Sequence, residues 1–186
     1  MDIGTGDGLL PFTLARRNPE RLFIGVDANA ENMRRWSGRA VRARLANVLY
    51  VRAAVEKLPQ ELLGVADRVT VVLPWGSLLA AVAGPSADIL RGVRALCRTG
   101  ATLSVVLGHD PVRDRVALRR LGLPGLDEAA RAHHFAHDYA CAGFRLSSIR
   151  AVAASEVAGL PSTWAKHLAQ GRERRFLEIA ATADHT

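Results

Sequence analysis

Hydrophobic and polar positions fall in blocks along this chain. Short apolar runs at 23–26, 48–52, 68–73 and 101–107 read as strands, and the last, nearly continuous, suits a sheet buried on both faces. Between them apolar residues recur at helical spacing over 9–18, 31–45, 77–82 and 87–97. Asn18-Pro19 and Leu73-Pro74 punctuate the pattern, and Pro59 breaks a short helical piece. Alternation of this kind predicts βαβ units around a parallel sheet. The last third changes character. Positions 110–124 are charged and irregular and read as a linker, 126–142 as a helix, and 144–152 and 174–182 as two final strands. The first strand holds only Met1, Asp2 and Ile3, short for its mid-sheet place, which reads either as a late start or as a truncated strand.

With 186 residues, 49% of them apolar, the chain suits one domain over 1–186 with a single hydrophobic core. No apolar run reaches the length of a bilayer span, and nothing resembles a cleavable signal. Cys97 and Cys141 read as reduced thiols, so the expected compartment is the cytoplasm and no membrane is expected as a partner. The net charge is +7, carried almost wholly by arginine; Lys57 and Lys166 are the only lysines. An arginine-rich composition also follows from a GC-rich genome, so clustering carries more than the total. Arg34, Arg35, Arg39, Arg42 and Arg44 crowd one helical segment, and Lys166, Arg172, Arg174 and Arg175 another. Two such clusters suggest a polyanionic partner such as RNA. His133 and His137 share a helical face beside His134, but no carboxylate or cysteine completes a ligand set, so no metal is expected.

The chemistry-bearing positions sit at the carboxyl ends of the predicted parallel strands. Asp2-Ile-Gly-Thr-Gly-Asp-Gly8 is a glycine-rich turn whose N–H groups are expected to approach a ligand closely, and Asp27, ending the next strand, is expected to accept both hydroxyls of a ribose. The spacing Gly4, Gly6, Gly8 differs from the G-x-G-x-x-G of dinucleotide folds, and Asp7 would repel a phosphate. A cationic nucleoside ligand fits better, and S-adenosyl-L-methionine carries both a sulfonium and an ammonium group. Val55 and Glu56, after the third strand, can reach an adenine edge. After the fourth strand comes Leu73-Pro-Trp-Gly-Ser-Leu-Leu79, and Trp164 follows Ser162 and Thr163 between the last two strands. Two indoles can sandwich an extruded base, each stacking contact contributing about 1–3 kcal/mol against an extrusion cost of a few. Trp36, between arginines, reads as helix packing.

These segments resemble the aminoglycoside-resistance 16S rRNA (adenine(1408)-N(1))-methyltransferase family. The likeness is carried by the Asp2–Gly8 loop, Asn18-Pro19, Val26-Asp27, Asn47-Val-Leu-Tyr50, Glu56-Lys-Leu-Pro59, the Leu73–Leu79 segment, Glu156-Val-Ala-Gly-Leu160 and Ser162-Thr-Trp164. The resemblance implies a Rossmann-like class I methyltransferase: an α/β fold with a mostly parallel seven-stranded sheet, helices on both faces and a C-terminal antiparallel hairpin. It implies S-adenosyl-L-methionine as cofactor, the decoding-site adenine of 16S rRNA in the small (30S) subunit as target, and resistance to kanamycin- and apramycin-type drugs. Trp75 and Trp164 would stack the flipped adenine, Pro74 and Leu73 would offer backbone acceptors to its N6, and Ser162 or Thr163 would steer indole or base. The cofactor would touch Asp2, Gly4, Gly6, Asp27, Val55, Glu56, Leu73 and Ser77. Arg34, Arg35, Arg39, Lys166, Arg172, Arg174 and Arg175 would meet rRNA phosphates, and the protein would act as a monomer. The family's N-terminal hairpin and full first strand have no counterpart here, and about 108–126 falls in its variable linker. Two other readings stand beside this one: another class I RNA methyltransferase, of the tRNA guanine-N7 type, and a non-catalytic RNA-binding protein that kept the fold.

Overall fold

The structure, a computed structural model, describes residues 1–84, 87–123, 128–170 and 174–184, with backbone only over 128–134. Its strands are β1 (Asp2–Ile3), β2 (Phe23–Asp27), β3 (Val48–Arg52), β4 (Ala66–Val72), β5 (Cys97–His109), β6 (Phe144–Val152) and β7 (Arg175–Ala183). They form one seven-stranded sheet in the order β3-β2-β1-β4-β5-β7-β6. The first five are parallel, and β7 lies antiparallel between β5 and β6. The helices are α1 (Leu9–Arg17), α2 (Ala30–Arg42), α3 (Gly76–Ala83), α4 (Ala87–Ala95), α5 (Arg115–Arg120), α6 (Glu128–Cys141), α7 (Ala154–Ala158) and α8 (Thr163–Leu168), with a 3-10 turn at Gln60–Leu62. The α/β class, the parallel sheet and the antiparallel finish expected from the sequence are all present.

The run at 101–107 does what its continuity predicts. Successive side chains of a strand point to opposite faces, and here both faces are covered. Val71, Val105 and Leu177 join the main core, whereas their neighbours Val72, Val106 and Phe176 join a second cluster with Val157 and Ala165. A third cluster gathers Phe12, Ala15, Ala40 and Val48, with Trp36 and Tyr50 packed against it. Trp36 thus packs its helix as expected, its ring centroid 4.9 Å from that of Phe12.

Two departures from the sequence reading have clear causes. Strand β5 is longer than 101–107, since β7 pairs with it as far as His109. The segment read as an irregular linker holds a turn and α5. Asp110 accepts the N–H groups of Val112 and Arg113 at 3.0 and 2.9 Å, Asp114 accepts that of Asp110 at 2.9 Å, and Leu118 anchors the helix in the main core. One buried leucine in six residues is too weak a periodic signal to stand out among arginines.

Arg94 closes the far end of the fold. Its buried guanidinium donates to the carbonyls of Gly143 (3.0 Å), Cys97 (3.3 Å) and Asp184. Both cysteines are free thiols. Among the described residues, no helix is long and apolar enough to cross a membrane.

Candidate active site

A cavity of about 570 Å³ opens at the carboxyl ends of β1, β2, β3 and β4. Every residue expected from the sequence to hold a cofactor lines it: Asp2, Gly4, Gly6, Asp27, Val55, Glu56, Leu73 and Ser77. So do Pro74, Trp75, Ser162 and Trp164, which were expected to hold a base. Trp75 and Trp164 are each 54% exposed, so neither indole is a core residue.

The glycine loop is built differently from the expectation. Gly4 and Thr5 donate their N–H groups to the Val26 carbonyl at 2.8 and 3.0 Å, Gly6 donates to Asp27 Oδ2 at 2.8 Å, and Gly8 donates to the Thr5 carbonyl at 3.1 Å. These N–H groups are spent inside the protein and form no anion cradle. The glycines are needed for another reason. Gly4 and Gly8 have φ of +70° and +80°, and a Cβ would lie 2.7 Å from Leu78 in the first case and 2.4 Å from the Tyr50 ring in the second. Tyr50 clamps the loop from outside by donating its hydroxyl to the Gly8 carbonyl at 3.0 Å.

Four carboxylates line the cavity: Asp2, Asp27 and Glu56, and Asp7 of the glycine loop. Asp2 is 6% exposed and accepts the hydroxyls of Thr5 (2.6 Å) and Thr70 (2.8 Å). Burial pushes its pKa up to about 6, against the opposing pull of those two hydroxyls. Asp27 accepts the N–H of Gly6 on one oxygen and that of Asn29, at 2.9 Å, on the other. Each oxygen keeps a second lone pair for a ribose hydroxyl. Glu56 accepts the Ser77 hydroxyl, which holds its carboxyl below the usual range.

The segment after β4 is turned by a strained residue. Leu73 has φ of +51° ahead of Pro74, an uncommon conformation for a non-glycine residue. Its N–H is fixed to the Val106 carbonyl at 2.7 Å and its side chain is buried in the second cluster. Trp75 then caps α3 beside the cavity. Also on the cavity lining, Ser162 caps α8, its hydroxyl accepting the Ala165 N–H at 3.2 Å. Trp164 projects from that helix and stacks on His167, with centroids 5.6 Å apart.

Asp7, expected to repel a phosphate, makes three hydrogen bonds. Oδ2 accepts the Thr163 hydroxyl at 2.5 Å and the Trp36 indole N–H at 3.3 Å, while Oδ1 accepts the Leu9 N–H at 3.1 Å. Nothing in the sequence signals the bond to Thr163, which joins positions 156 residues apart.

The basic residues divide. Arg35 and Arg39 are exposed and lie over the Trp36 ring, each 5.3 Å from its centroid, and exposed Arg34 pairs with Glu31 at 3.2 Å. Lys166 is exposed on α8 and Arg175 at the start of β7. Arg174 is used inside the fold. Its side chain is 13% exposed, pairs with Asp114 at 2.9 Å and donates to the Gly108 carbonyl at 3.2 Å. It braces α5 against β5, and its charge is already matched. Arg172 lies outside the described residues, as do the side chains of His133 and His134. Among the described residues, no cluster of three or more His, Cys, Asp or Glu side chains is placed to hold a metal.

The chain matches the family described as NpmA: 16S rRNA (adenine(1408)-N(1))-methyltransferase over residues 1–183. It belongs to that family. A curated 16S rRNA (adenine(1408)-N(1))-methyltransferase of Streptoalloteichus tenebrarius is 39% identical over 179 residues, covering 94% of this chain and 81% of that protein. The crystal structure of the 16S rRNA methyltransferase KamB superposes with a TM-score of 0.87 at 36% identity, covering 99% of this chain and 86% of that one. A tryptophan-to-alanine variant of the Catenulisporales acidiphilia 16S rRNA (adenine(1408)-N(1))-methyltransferase, with cosubstrate SAM, superposes with a TM-score of 0.88 at 32% identity, covering 99% of this chain and 84% of that one. The resemblance read from the motifs is therefore correct, and with it a SAM-dependent methyltransferase on a class I fold.

The cavity fits that cofactor. Its carboxylates Asp2, Asp27 and Glu56 suit a ligand with cationic groups and hydroxyls, its walls include apolar Ile3, Leu10 and Val72, and the inward-bonded loop offers little to a pyrophosphate.

Proposed function

We propose that this NpmA-family protein methylates N1 of adenine 1408 of 16S rRNA in the assembled small (30S) subunit, working as a cytoplasmic monomer, and that the modification confers aminoglycoside resistance. The observation that carries the reading is the pair of half-exposed indoles, Trp75 and Trp164, on the cavity that also holds the acid-lined glycine loop.

When bound, S-adenosyl-L-methionine supplies an electrophilic methyl group on sulfur. Asp27 receives the ribose diol, Asp2 offers a buried negative charge to the cationic end, and Val55, Glu56 and Ser77 border the adenine edge. Trp75 and Trp164 hold the extruded target adenine by stacking, and the backbone around Leu73 and Pro74 accepts from its N6. Adenine N1 has its own lone pair, so no general base is needed before transfer. The chain's contribution is position, and near-attack geometry alone contributes several kcal/mol. The ring becomes cationic as it is methylated, and aromatic faces stabilise that charge. Exposed Arg34, Arg35, Arg39, Lys166 and Arg175 provide the phosphate contacts that set register on the rRNA.

The test is reverse transcription of 16S rRNA after incubating the protein with small subunits and S-adenosyl-L-methionine. N1 methylation blocks Watson–Crick pairing, so a stop at adenine 1408 is expected. A stop at another nucleotide, or a modification confined to tRNA, overturns the assignment. Loss of one stacking platform in Trp164→Ala should lower turnover by about 5- to 150-fold, and undiminished turnover overturns the sandwich.

A further inference from the structure

The cavity draws lining segments from both ends of the chain as well as its middle, and one carboxylate joins the first to the last. Asp7 sits in the glycine loop, and its Oδ2 accepts the hydroxyl of Thr163, the first residue of α8, at 2.5 Å. The same oxygen accepts the indole N–H of Trp36, the residue of α2 on which Arg35 and Arg39 lie. Its other oxygen accepts the N–H of Leu9 at the start of α1. Asp7 thus joins the loop beside the cofactor pocket, the basic helix and the helix bearing Trp164.

Helix α8 needs such an anchor. It has six residues, far too few to be stable or oriented by its own hydrogen bonds. Ala165 and Leu168 bind it from below to the second apolar cluster, and apolar contact has no directional preference. A charge-assisted hydrogen bond has one. Rotation of α8 about its buried side would swing Trp164 away from Trp75, and a misplacement of about 1 Å can lower a rate by about a hundredfold.

We infer that Asp7 is a positioning residue for methyl transfer, holding Trp164 at the cavity through Thr163 and tying that hold to the loop that borders the cofactor. The inference rests on the methyltransferase reading for its kinetic consequence and on geometry alone for its structural one.

Thr163→Val removes the donor and keeps the shape, while Thr163→Ser keeps the donor. Thr163→Val should lower kcat on small subunits by about tenfold or more and leave the dissociation constant of S-adenosyl-L-methionine, measured by calorimetry, within about twofold. Amide hydrogen exchange across 163–168 should quicken by about tenfold in the same variant. Thr163→Ser should restore both. On exchange, Asp7→Ala added to Thr163→Val should have no further effect. The inference is overturned if Thr163→Val keeps the parent's kcat and exchange, if Thr163→Ser fails to rescue, or if the two substitutions add independently. Exchange needs no substrate. If the parent protein leaves adenine 1408 unmodified, the proposed activity fails, while the exchange data still decide whether Asp7 holds α8.

Discussion

Asp2→Asn should change the pH dependence of stability and of cofactor binding in opposite directions. Burial lifts the Asp2 pKa from an ordinary 3.8 to about 6. A carboxyl whose folded pKa is raised holds its proton more tightly in the folded state. Its folded form is therefore favoured at low pH, and that advantage is lost as pH climbs through about 6. The full swing is about 3 kcal/mol, of which about 2 falls between about pH 4.5 and 7.5. Asparagine has no charge to bury, so urea unfolding should show the variant gaining about 2 kcal/mol on the parent across that interval. Asp110 and Glu156, whose carboxyls are held low first by backbone N–H bonds and then by their arginine partners, are present in both proteins and cancel in the difference. Calorimetry supplies the second arm. A cationic ligand favours ionised Asp2, so the parent's affinity for S-adenosyl-L-methionine should be full above about pH 6 and fall by up to about tenfold per unit below it. The asparagine variant should bind more weakly at neutral pH without that fall. A stability difference constant within about 0.5 kcal/mol over this range would refute the assignment of a buried, proton-holding Asp2.

Other expectations follow from single contacts. Gly8→Ala places a methyl group 2.4 Å from the Tyr50 ring at a φ of +80° and should destabilise the protein by about 2 kcal/mol or more, with thermal unfolding partly recovered in Gly8→Ala/Tyr50→Ala. Arg94→Met should cost about 3 kcal/mol or more in urea unfolding, since the carbonyls of Gly143, Cys97 and Asp184 lose their common donor. Binding to small subunits should weaken steeply with salt, and Arg35→Ala should lower the slope of log K against log salt by about one, whereas Arg174→Ala should lower stability and leave the slope unchanged.

The fold was legible because strands of a parallel sheet announce themselves as continuous apolar runs, and 48–52 and 68–73 needed no context to be read. The gathering of the expected cofactor residues in one cavity was legible because they are adjacent in sequence to strand ends. The glycine loop was legible as a turn but not in its chemistry. Whether its N–H groups point outward or back to Val26 and Asp27 depends on how β1 meets β2, which composition does not encode. Arg174 shows the same limit: a basic cluster in sequence says nothing about which guanidinium finds Asp114. That Trp75 and Trp164 line one cavity agrees with the family resemblance, while the Asp7–Thr163 bond depends on tertiary packing alone.

The position of β7 orders the assembly of the molecule in time. It follows β6 in the chain, yet it lies between β5 and β6. Strand β6 cannot join the sheet until its inner neighbour has emerged, and α8 is slung between the two. The part of the cavity that carries Trp164 is therefore completed only after β7 has emerged. Until then the chain lacks Phe176, one of the side chains on which α8 rests through Ala165 and Leu168.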